Sequence, residues 1–176
     1  MKNPIKERHV LMVVIIVFML AAFGVPDANA AVGDLWLDIN VGSKHTAASE
    51  YTYDGKTEDF NERNYGLGAS YQFAEHFEAT AGFFKNSYSK TSIYTGVKIK
   101  TDYSFGSLIV SPGITISGVT GYDDTEVNGG FIQPIAIFNV ALSYDKARVV
   151  IGYVPIRAVF NEARADVITL QVGIKF

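Results

Sequence analysis

The chain of 176 residues contains no cysteine, so a disulfide scaffold and a metal site built on thiolates are both excluded. Charge is also scarce: 19% of the residues are charged and the formal net charge is −3, without the basic excess that nucleic-acid binding needs. After one N-terminal apolar run, no second run is long enough to cross a membrane as a helix. Hydrophobic residues, in contrast, make up 48% of the chain, which excludes disorder and predicts one folded domain.

The first 30 residues have the composition of a secretory signal peptide. An apolar run covers residues 10–25, and Ala28-Asn29-Ala30 supplies the small-x-small pattern after which signal peptidase cleaves. The run is preceded by three basic residues, Lys2, Lys6 and Arg8. The alternative is an uncleaved helical anchor, but the run is shorter than the roughly 20 residues that a spanning helix needs, and Pro26 follows it at once. The sequence therefore predicts a cleaved signal peptide over 1–30 and a mature domain over 31–176.

Apolar and polar residues alternate with period two through most of the mature domain, as they do in a strand with two different faces. In the first such segment Leu35, Leu37 and Ile39 lie on one face, and Asp38 and Asn40 lie on the other. The pattern predicts eight strands, at 35–42, 64–73, 77–88, 90–101, 107–119, 131–144, 148–160 and 168–176.

The segments between the predicted strands are of two kinds. Short turns are predicted at 74–76, 102–106 and 145–147. The segments 46–61 and 120–130 are long and polar. Short turns at one end, long loops at the other, an even strand number and a C-terminal aromatic residue, Phe176, are typical of a bacterial outer-membrane barrel. We therefore predict an all-β fold, an eight-stranded antiparallel transmembrane β-barrel integral to the outer membrane. A soluble barrel of the lipocalin type has similar strands, but the signal peptide and Phe176 favour the membrane protein.

This topology predicts that three polar clusters meet at the outer rim. With a periplasmic N-terminus, His45 follows the first strand at that rim, Asn61-Glu62-Arg63 precedes the second, and Lys85-Asn86-Ser87 ends the third. The first and third strands are about 10 Å apart at the backbone, a distance that His and Ser side chains can bridge. A His–Ser pair is the minimum for acyl transfer, because an imidazole can take the proton of a hydroxyl. His45 is in phase with the outward residues, so a β-bulge or a strand end must turn it inward.

Several stretches resemble the outer-membrane lipid A palmitoyltransferases of the PagP type. The matching stretches are Tyr53-Asp54-Gly55-Lys56-Thr57, Phe60-Asn61-Glu62-Arg63-Asn64-Tyr65-Gly66, Phe84-Lys85-Asn86-Ser87-Tyr88, Gln133-Pro134-Ile135 and Gly152-Tyr153-Val154-Pro155. The resemblance implies an eight-stranded barrel that moves a palmitoyl chain from a phospholipid to lipid A, using a rim histidine and an Asp-Ser pair. Carried over by position, His45 is the histidine, Ser87 is the serine, and Asn86 stands at the aspartate position.

The sequence departs from that family in three places. An amide cannot take a proton as a carboxylate does, so Asn86 is the weakest catalytic candidate, able to orient a partner or to donate to an oxyanion. The family carries an amphipathic helix before its first strand, whereas only three residues separate the predicted cleavage site from Asp34. The prolines that the family places on its first two strands match Asn40 and Asn64.

Two prolines lie near the outer ends of adjacent predicted strands, Pro134 and Pro155. Because proline has no N–H to donate to a ladder, the pair predicts an opening in the wall, through which the resemblance implies that a lipid enters. Alternatively, each proline starts or bends its own strand. Glycines on the predicted inner face, Gly96 among them, leave room either for an acyl chain or for packed aromatic rings such as Tyr94.

Together these observations predict a lipid A acyltransferase with His45, Ser87 and Asn86 as catalytic candidates. The predicted substrate-binding residues are Asn61, Glu62, Arg63, Lys85, Tyr88, Gly96, Pro134 and Pro155. The predicted partners are membrane lipids, a phospholipid donor and a lipid A acceptor, and not nucleic acid; we expect a monomer with no cofactor and no metal. One alternative is a lipid A deacylase or phospholipase that uses the same His–Ser pair with water. The other is a structural or adhesive barrel whose loops 46–61 and 120–130, the second with Asp123, Asp124 and Glu126, bind outside the cell.

Overall fold

The computed structural model describes residues 32–46, 48–53, 56–122, 132–159 and 165–176. The predicted signal peptide lies outside these residues, as do Asp123, Asp124 and Glu126. The strands are β1 (Leu35–His45), β2 (Glu50–Tyr53), β3 (Lys56–Asp59), β4 (Gly66–Ala74), β5 (Phe77–Lys85), β6 (Thr91–Lys100), β7 (Tyr103–Phe105), β8 (Leu108–Val119), β9 (Gln133–Tyr144), β10 (Ala147–Val154) and β11 (Val167–Lys175). One short helix, α1, covers Ile156–Val159. Within the described ranges, no helix is long and apolar enough to cross a membrane.

Eight of these strands close into an antiparallel barrel. Their order around the wall is β1, β4, β5, β6, β8, β9, β10 and β11. The barrel closes where β11 pairs with β1, from Trp36 opposite Lys175 to His45 opposite Val167. Closure supplies ladder partners to backbone groups that an open sheet would leave unpaired in lipid. The predicted eight-stranded antiparallel β-barrel is thereby confirmed.

The boundaries differ from the sequence-based expectation in several places. β2 and β3 form a separate hairpin inside the segment 46–61 that was expected to be a loop, and β7 pairs with the start of β8 inside an expected turn. The predicted strand 148–160 ends at Val154, because Pro155 has no N–H to continue the ladder. The predicted strand 77–88 ends at Lys85, where a tight turn begins.

The barrel wall is apolar on the outside and polar on the inside. Outward side chains at mid-strand are exposed and hydrophobic, with Ile93 62% and Ile116 55% exposed. The inward positions between them hold buried polar side chains such as Ser70, Thr80 and Ser117. A wall of this kind places its outward residues against lipid, whereas a soluble barrel of the lipocalin type would place them against water. The protein is therefore an integral outer-membrane β-barrel.

Four charged side chains fill the half of the lumen nearest the short turns. The Arg148 guanidinium donates to Asp38 Oδ2 at 2.8 Å and to Glu78 Oε2 at 3.0 Å. Lys98 Nζ donates to the other oxygen of Glu78, Oε1, at 2.5 Å. The guanidinium carbon of Arg148 also lies 4.4 Å from the centroid of the Trp36 ring. All four charges are buried, and each is tolerated there only because the opposite charge is beside it.

Higher in the lumen, the Tyr94 side chain of β6 lies over the next two strands of the wall, β5 and β4. A Cβ atom at Gly68 or at Gly82 would collide with the Tyr94 hydroxyl, so these positions have to be glycine for the ring to fit. The inner-face glycines were expected to leave room either for an acyl chain or for aromatic rings. At Gly68 and Gly82 the room is filled by the ring of Tyr94. Gly96 faces the lumen two residues below Tyr94, and a Cβ there would collide with the backbone of β8.

We predict that replacing Arg148 by methionine strongly destabilises the barrel. The Arg148→Met variant leaves the Asp38 carboxylate buried without its cation, an effect that costs on the order of 3–5 kcal/mol. The free energy of unfolding, measured by urea titration of the protein in lipid vesicles, reports this loss. Lys146→Met is the matched control, because Lys146 lies exposed in a short turn. Equal stability of the two variants would contradict the role assigned to the four charges.

Candidate functional site

A β-bulge turns His45 toward the inside of the barrel. The register between β1 and β11 shifts between Asn40 and Gly42, so Val41 is an extra residue in β1. Side chains after the bulge change face, and His45 is consequently 8% exposed while Lys44 before it points outward. The sequence required a bulge or strand end to bring His45 inward, and the bulge is present.

The His45 ring is held between an aromatic ring and a carboxylate. Phe60 stacks on it with 4.1 Å between ring centroids and 8° between ring planes. Glu62 Oε1 accepts a hydrogen bond from the backbone N–H of His45 at 3.2 Å and lies 3.8 Å from His45 Nδ1. Lys44 Nζ donates to the second oxygen, Glu62 Oε2, at 2.9 Å. Glu62, predicted to contact substrate, thus also contacts the histidine, and Phe60 was not among the predicted site residues.

Ser87 lies on the other side of the same stretch of chain. Its carbonyl oxygen accepts a hydrogen bond from the Asn61 backbone N–H at 2.8 Å, and the Asn61 side chain donates to the next carbonyl, that of Asn86, at 2.9 Å. Residues 60–62 therefore run between His45 and Ser87, with a contact to each. In the described part of the chain no hydrogen bond joins His45 to Ser87 directly. The structure brings both to the outer rim, as predicted, but as neighbours of residues 60–62.

Asn86 organises the turn between β5 and β6. Its Oδ1 accepts from the backbone N–H groups of Tyr88 at 3.0 Å and Lys90 at 2.9 Å. Its Nδ2 donates to Ser92 Oγ at 3.1 Å and to the Gly121 carbonyl at 2.8 Å. The side chain is fully buried, and its hydrogen-bonding capacity is taken up by this turn and the neighbouring loop. We therefore assign Asn86 a structural role and leave it out of the catalytic set.

Phe60 belongs to an aromatic cluster at this rim, together with Tyr51, Tyr88 and Tyr122. Tyr88, predicted to contact substrate, packs edge-on against Tyr51 at 4.6 Å, Phe60 at 5.8 Å and Tyr122 at 5.9 Å between ring centroids. The rings come from the β2–β3 hairpin, the β5–β6 turn and the segment after β8. The cluster thereby connects the β2–β3 hairpin to the β5–β6 turn beside His45. No periodicity or motif in the sequence predicts that these two segments contact each other.

Three exposed basic side chains lie at this rim: Lys44 on β1, Arg63 in the segment before β4, and Lys85 at the end of β5. We call them the basic edge. The strands are adjacent in the wall, about 4.8 Å apart, so the three charges can reach one ligand. The outer ends of β8 to β11, so far as the structure describes them, carry one basic side chain, Arg157, which is ion-paired with Asp166 at 2.6 Å. Lys44 is likewise paired with Glu62 at 2.9 Å, so Arg63 and Lys85 supply most of the positive charge that the basic edge offers to a ligand.

The ladder between β9 and β10 is interrupted before the outer rim. Its last described pair is Phe138 opposite Tyr153, whereas β9 begins at Gln133 and continues to pair with β8 as far as Val119. Pro134 lies in this part of β9, where it pairs in register with Gly118 of β8, and Pro155 directly follows β10. We call this interruption the lateral gap.

Buried apolar residues lie inside the wall at the level of the lateral gap. The last residues of β8 and β10, Val119 and Val154, face inward, as does the first residue of β11, Val167. Val167 pairs with both Val154 and His45, so the gap and the histidine lie at the same height in the barrel. The predicted substrate residue Gly96 lies below this level, on the far side of Tyr94.

Comparisons with known proteins identify the architecture. No family model matches the chain, and no curated protein matches it. A de novo designed transmembrane β-barrel is 14% identical and covers 85% of this chain and 100% of its own, with a TM-score of 0.57. The N-terminal barrel domain of Pseudomonas aeruginosa OprF is 13% identical over 82% of this chain and 98% of its own, with a TM-score of 0.45. The Yersinia pestis outer membrane protein Ail is 12% identical over 82% of this chain and 99% of its own, with a TM-score of 0.41. At such identities a likeness concerns the fold alone.

We predict that placing a carboxylate at position 86 destabilises the rim. In Asn86→Asp the second side-chain oxygen would face the Gly121 carbonyl, and the lost donor costs on the order of 1–3 kcal/mol. Protonation of the introduced group restores a donor, so its pKa is raised in the folded protein and the deficit shrinks as the pH falls toward about 4. Urea unfolding at several pH values measures this effect, with the exposed Thr91→Ala substitution as control. A deficit that is constant with pH would contradict the assigned hydrogen bonds.

Proposed function

We propose that this protein is an outer-membrane acyltransferase that moves an acyl chain from a phospholipid to lipid A. The observation that carries the proposal is the lateral gap, which opens onto buried apolar residues at the height of His45. A fully paired wall would keep membrane lipids out of the barrel, whereas this gap gives an acyl chain of the outer leaflet a lateral route to the rim. The resemblance of the sequence to the lipid A palmitoyltransferases supports the same activity.

In the proposed reaction His45 acts as the general base. Its Nε2 takes the proton of a lipid A hydroxyl, and the hydroxyl oxygen attacks the carbonyl carbon of the donor ester. A new ester bond forms to lipid A, and the bond between the carbonyl carbon and the glycerol oxygen breaks. The imidazolium returns its proton to that glycerol oxygen, which releases a lysophospholipid. The Ser87 hydroxyl donates to the carbonyl oxygen while negative charge develops there.

The basic edge supports lipid A as the acceptor. Lipid A carries phosphate groups at the height of the outer rim, and Arg and Lys side chains bind phosphate through charge-assisted hydrogen bonds. Lys44 immediately precedes His45 in the chain, so a phosphate held at the basic edge keeps the glucosamine hydroxyls close to the imidazole. The donor and the acceptor then approach from different sides, the donor through the lateral gap and the acceptor over β1, β4 and β5.

Tyr94 limits how far an acyl chain can extend inward. It lies three residues inside the outer end of β6, which is about 10 Å of strand. One leaflet of the hydrocarbon core is about 15 Å thick, so a full-length acyl chain standing upright would not fit above the ring. In this proposal the outer part of the lumen therefore binds one end of the chain, and the rest stays in the lateral gap and the bilayer.

Mass spectrometry of lipid A from cells with and without the protein tests the proposal. We expect lipid A to gain one acyl chain when the protein is present, and His45→Ala and Ser87→Ala to lower that gain on the order of 10²-fold or more. His76→Ala is the control, because His76 lies in a periplasmic turn. Loss of an acyl chain would instead indicate the deacylase, and unchanged lipid A would indicate the non-enzymatic barrel.

A second experiment separates binding from chemistry. We predict that the double substitution Arg63→Gln and Lys85→Gln raises KM for lipid A about tenfold or more and changes kcat little, because both charges contact only the acceptor phosphate. Lys56→Gln, an exposed substitution in the β2–β3 hairpin, serves as the matched control. A fall in kcat with unchanged KM would place these residues in the chemical step and contradict the proposed docking.

A further inference from the structure

The Nδ1 atom of His45 is buried without a hydrogen-bond partner in the described part of the chain. A histidine that acts as a base through Nε2 must carry its proton on Nδ1, and a group beside Nδ1 usually fixes that tautomer. The Asn86 side chain does not provide this group, because it is an amide that is bonded into its own turn. The question is therefore which carboxylate lies beside Nδ1.

Glu62 has the position for this role. Its Oε1 lies 3.8 Å from Nδ1, which is ion-pair distance and longer than a hydrogen bond. Catalytic contacts of this kind are often long in a protein without substrate and shorten when the substrate binds. Phe60 fixes the plane of the imidazole by stacking, and the backbone N–H of His45 holds the same carboxylate oxygen. Ring and carboxylate are therefore both anchored, facing each other.

Glu62 is also kept ionised. Its side chain is 33% exposed, and this partial burial raises the pKa of the carboxyl group. The hydrogen bonds from Lys44 and from the backbone N–H of His45 act in the opposite direction and outweigh burial, so the pKa of Glu62 lies below its usual range. At neutral pH the group beside Nδ1 is thus a carboxylate. It can accept a hydrogen bond from Nδ1–H and stabilise an imidazolium.

We propose that Glu62 is the positioning residue of His45: it holds the Nδ1–H tautomer, leaves Nε2 free to take the proton of the acceptor hydroxyl, and stabilises the imidazolium that forms. Its catalytic importance rests on the proposed function, whereas its effect on the tautomer does not. Glu62 thereby supplies a carboxylate to His45, which Asn86 at the family's aspartate position cannot do. Lys44 contributes by fixing the second oxygen of the same carboxylate.

Nitrogen-15 NMR of the histidine-labelled full-length mature protein in detergent micelles measures the tautomer of His45 directly. We expect the wild-type protein and Glu62→Asp to show Nδ1–H, and Glu62→Gln to shift the ring toward Nε2–H, the form that dominates in free neutral histidine. Glu58→Gln is the matched control, because Glu58 accepts a hydrogen bond from Tyr51 on the same hairpin, and no hydrogen bond or ion pair joins it to His45 in the described part of the chain. Nε2–H in the wild-type protein, or no change in Glu62→Gln, would overturn the proposal.

Kinetics of acyl transfer supply the second readout. Glu62→Gln is expected to lower kcat on the order of 10²-fold, since loss of the orienting carboxylate in a Ser-His-Asp triad costs up to about 10⁴-fold. The acidic limb of its pH–rate profile should move to lower pH, because the imidazolium loses its stabilising charge, and Glu62→Asp should restore most of both effects. A merely structural role would leave the profile in place. If the wild-type protein transfers no acyl chain, the proposed function fails, while the tautomer measurement still decides the role of Glu62.

Discussion

The bilayer offers no water to the backbone, and this constraint shapes the whole protein. Each strand must pair on both sides inside the hydrocarbon region, which forces the sheet to close from β1 to β11. The lateral gap between β9 and β10 departs from this rule, at the outer rim. Pro155 contributes to the break because it has no N–H with which to continue β10. In the proposed function, the place where the β9–β10 ladder ends is the place where a lipid approaches the interior.

The interior explains why the candidate site lies at one end. Arg148, Glu78, Asp38 and Lys98 occupy the periplasmic half of the lumen as mutually paired charges, and Tyr94 closes the space above them. An eight-stranded barrel has room for little more than its own side chains. In the proposed function, a substrate is therefore restricted to the outer part, where buried valines replace the polar residues found below.

The rim is built from local irregularities that act together. A bulge in β1 turns His45 inward, the Asn86 turn fixes the end of β5, and residues 60–62 connect the two. The aromatic cluster then joins the β2–β3 hairpin to this assembly. None of these features follows the regular period of a strand, and each one moves a side chain to a position that an ideal ladder would not give it.

The sequence by itself determined the eight strands, the two faces of the wall, the short turns and the need for a bulge before His45, because period-two alternation and proline placement act locally. It also placed His45 and Ser87 at one rim, since successive strands of an antiparallel barrel alternate in direction and the number of each strand therefore tells at which end it finishes. Only the tertiary structure decided that Glu62 faces the histidine, that Asn86 holds a turn, and that Arg148 pairs with Asp38 across 110 positions of sequence. Those contacts depend on register and on side-chain geometry between distant strands, which no local pattern encodes.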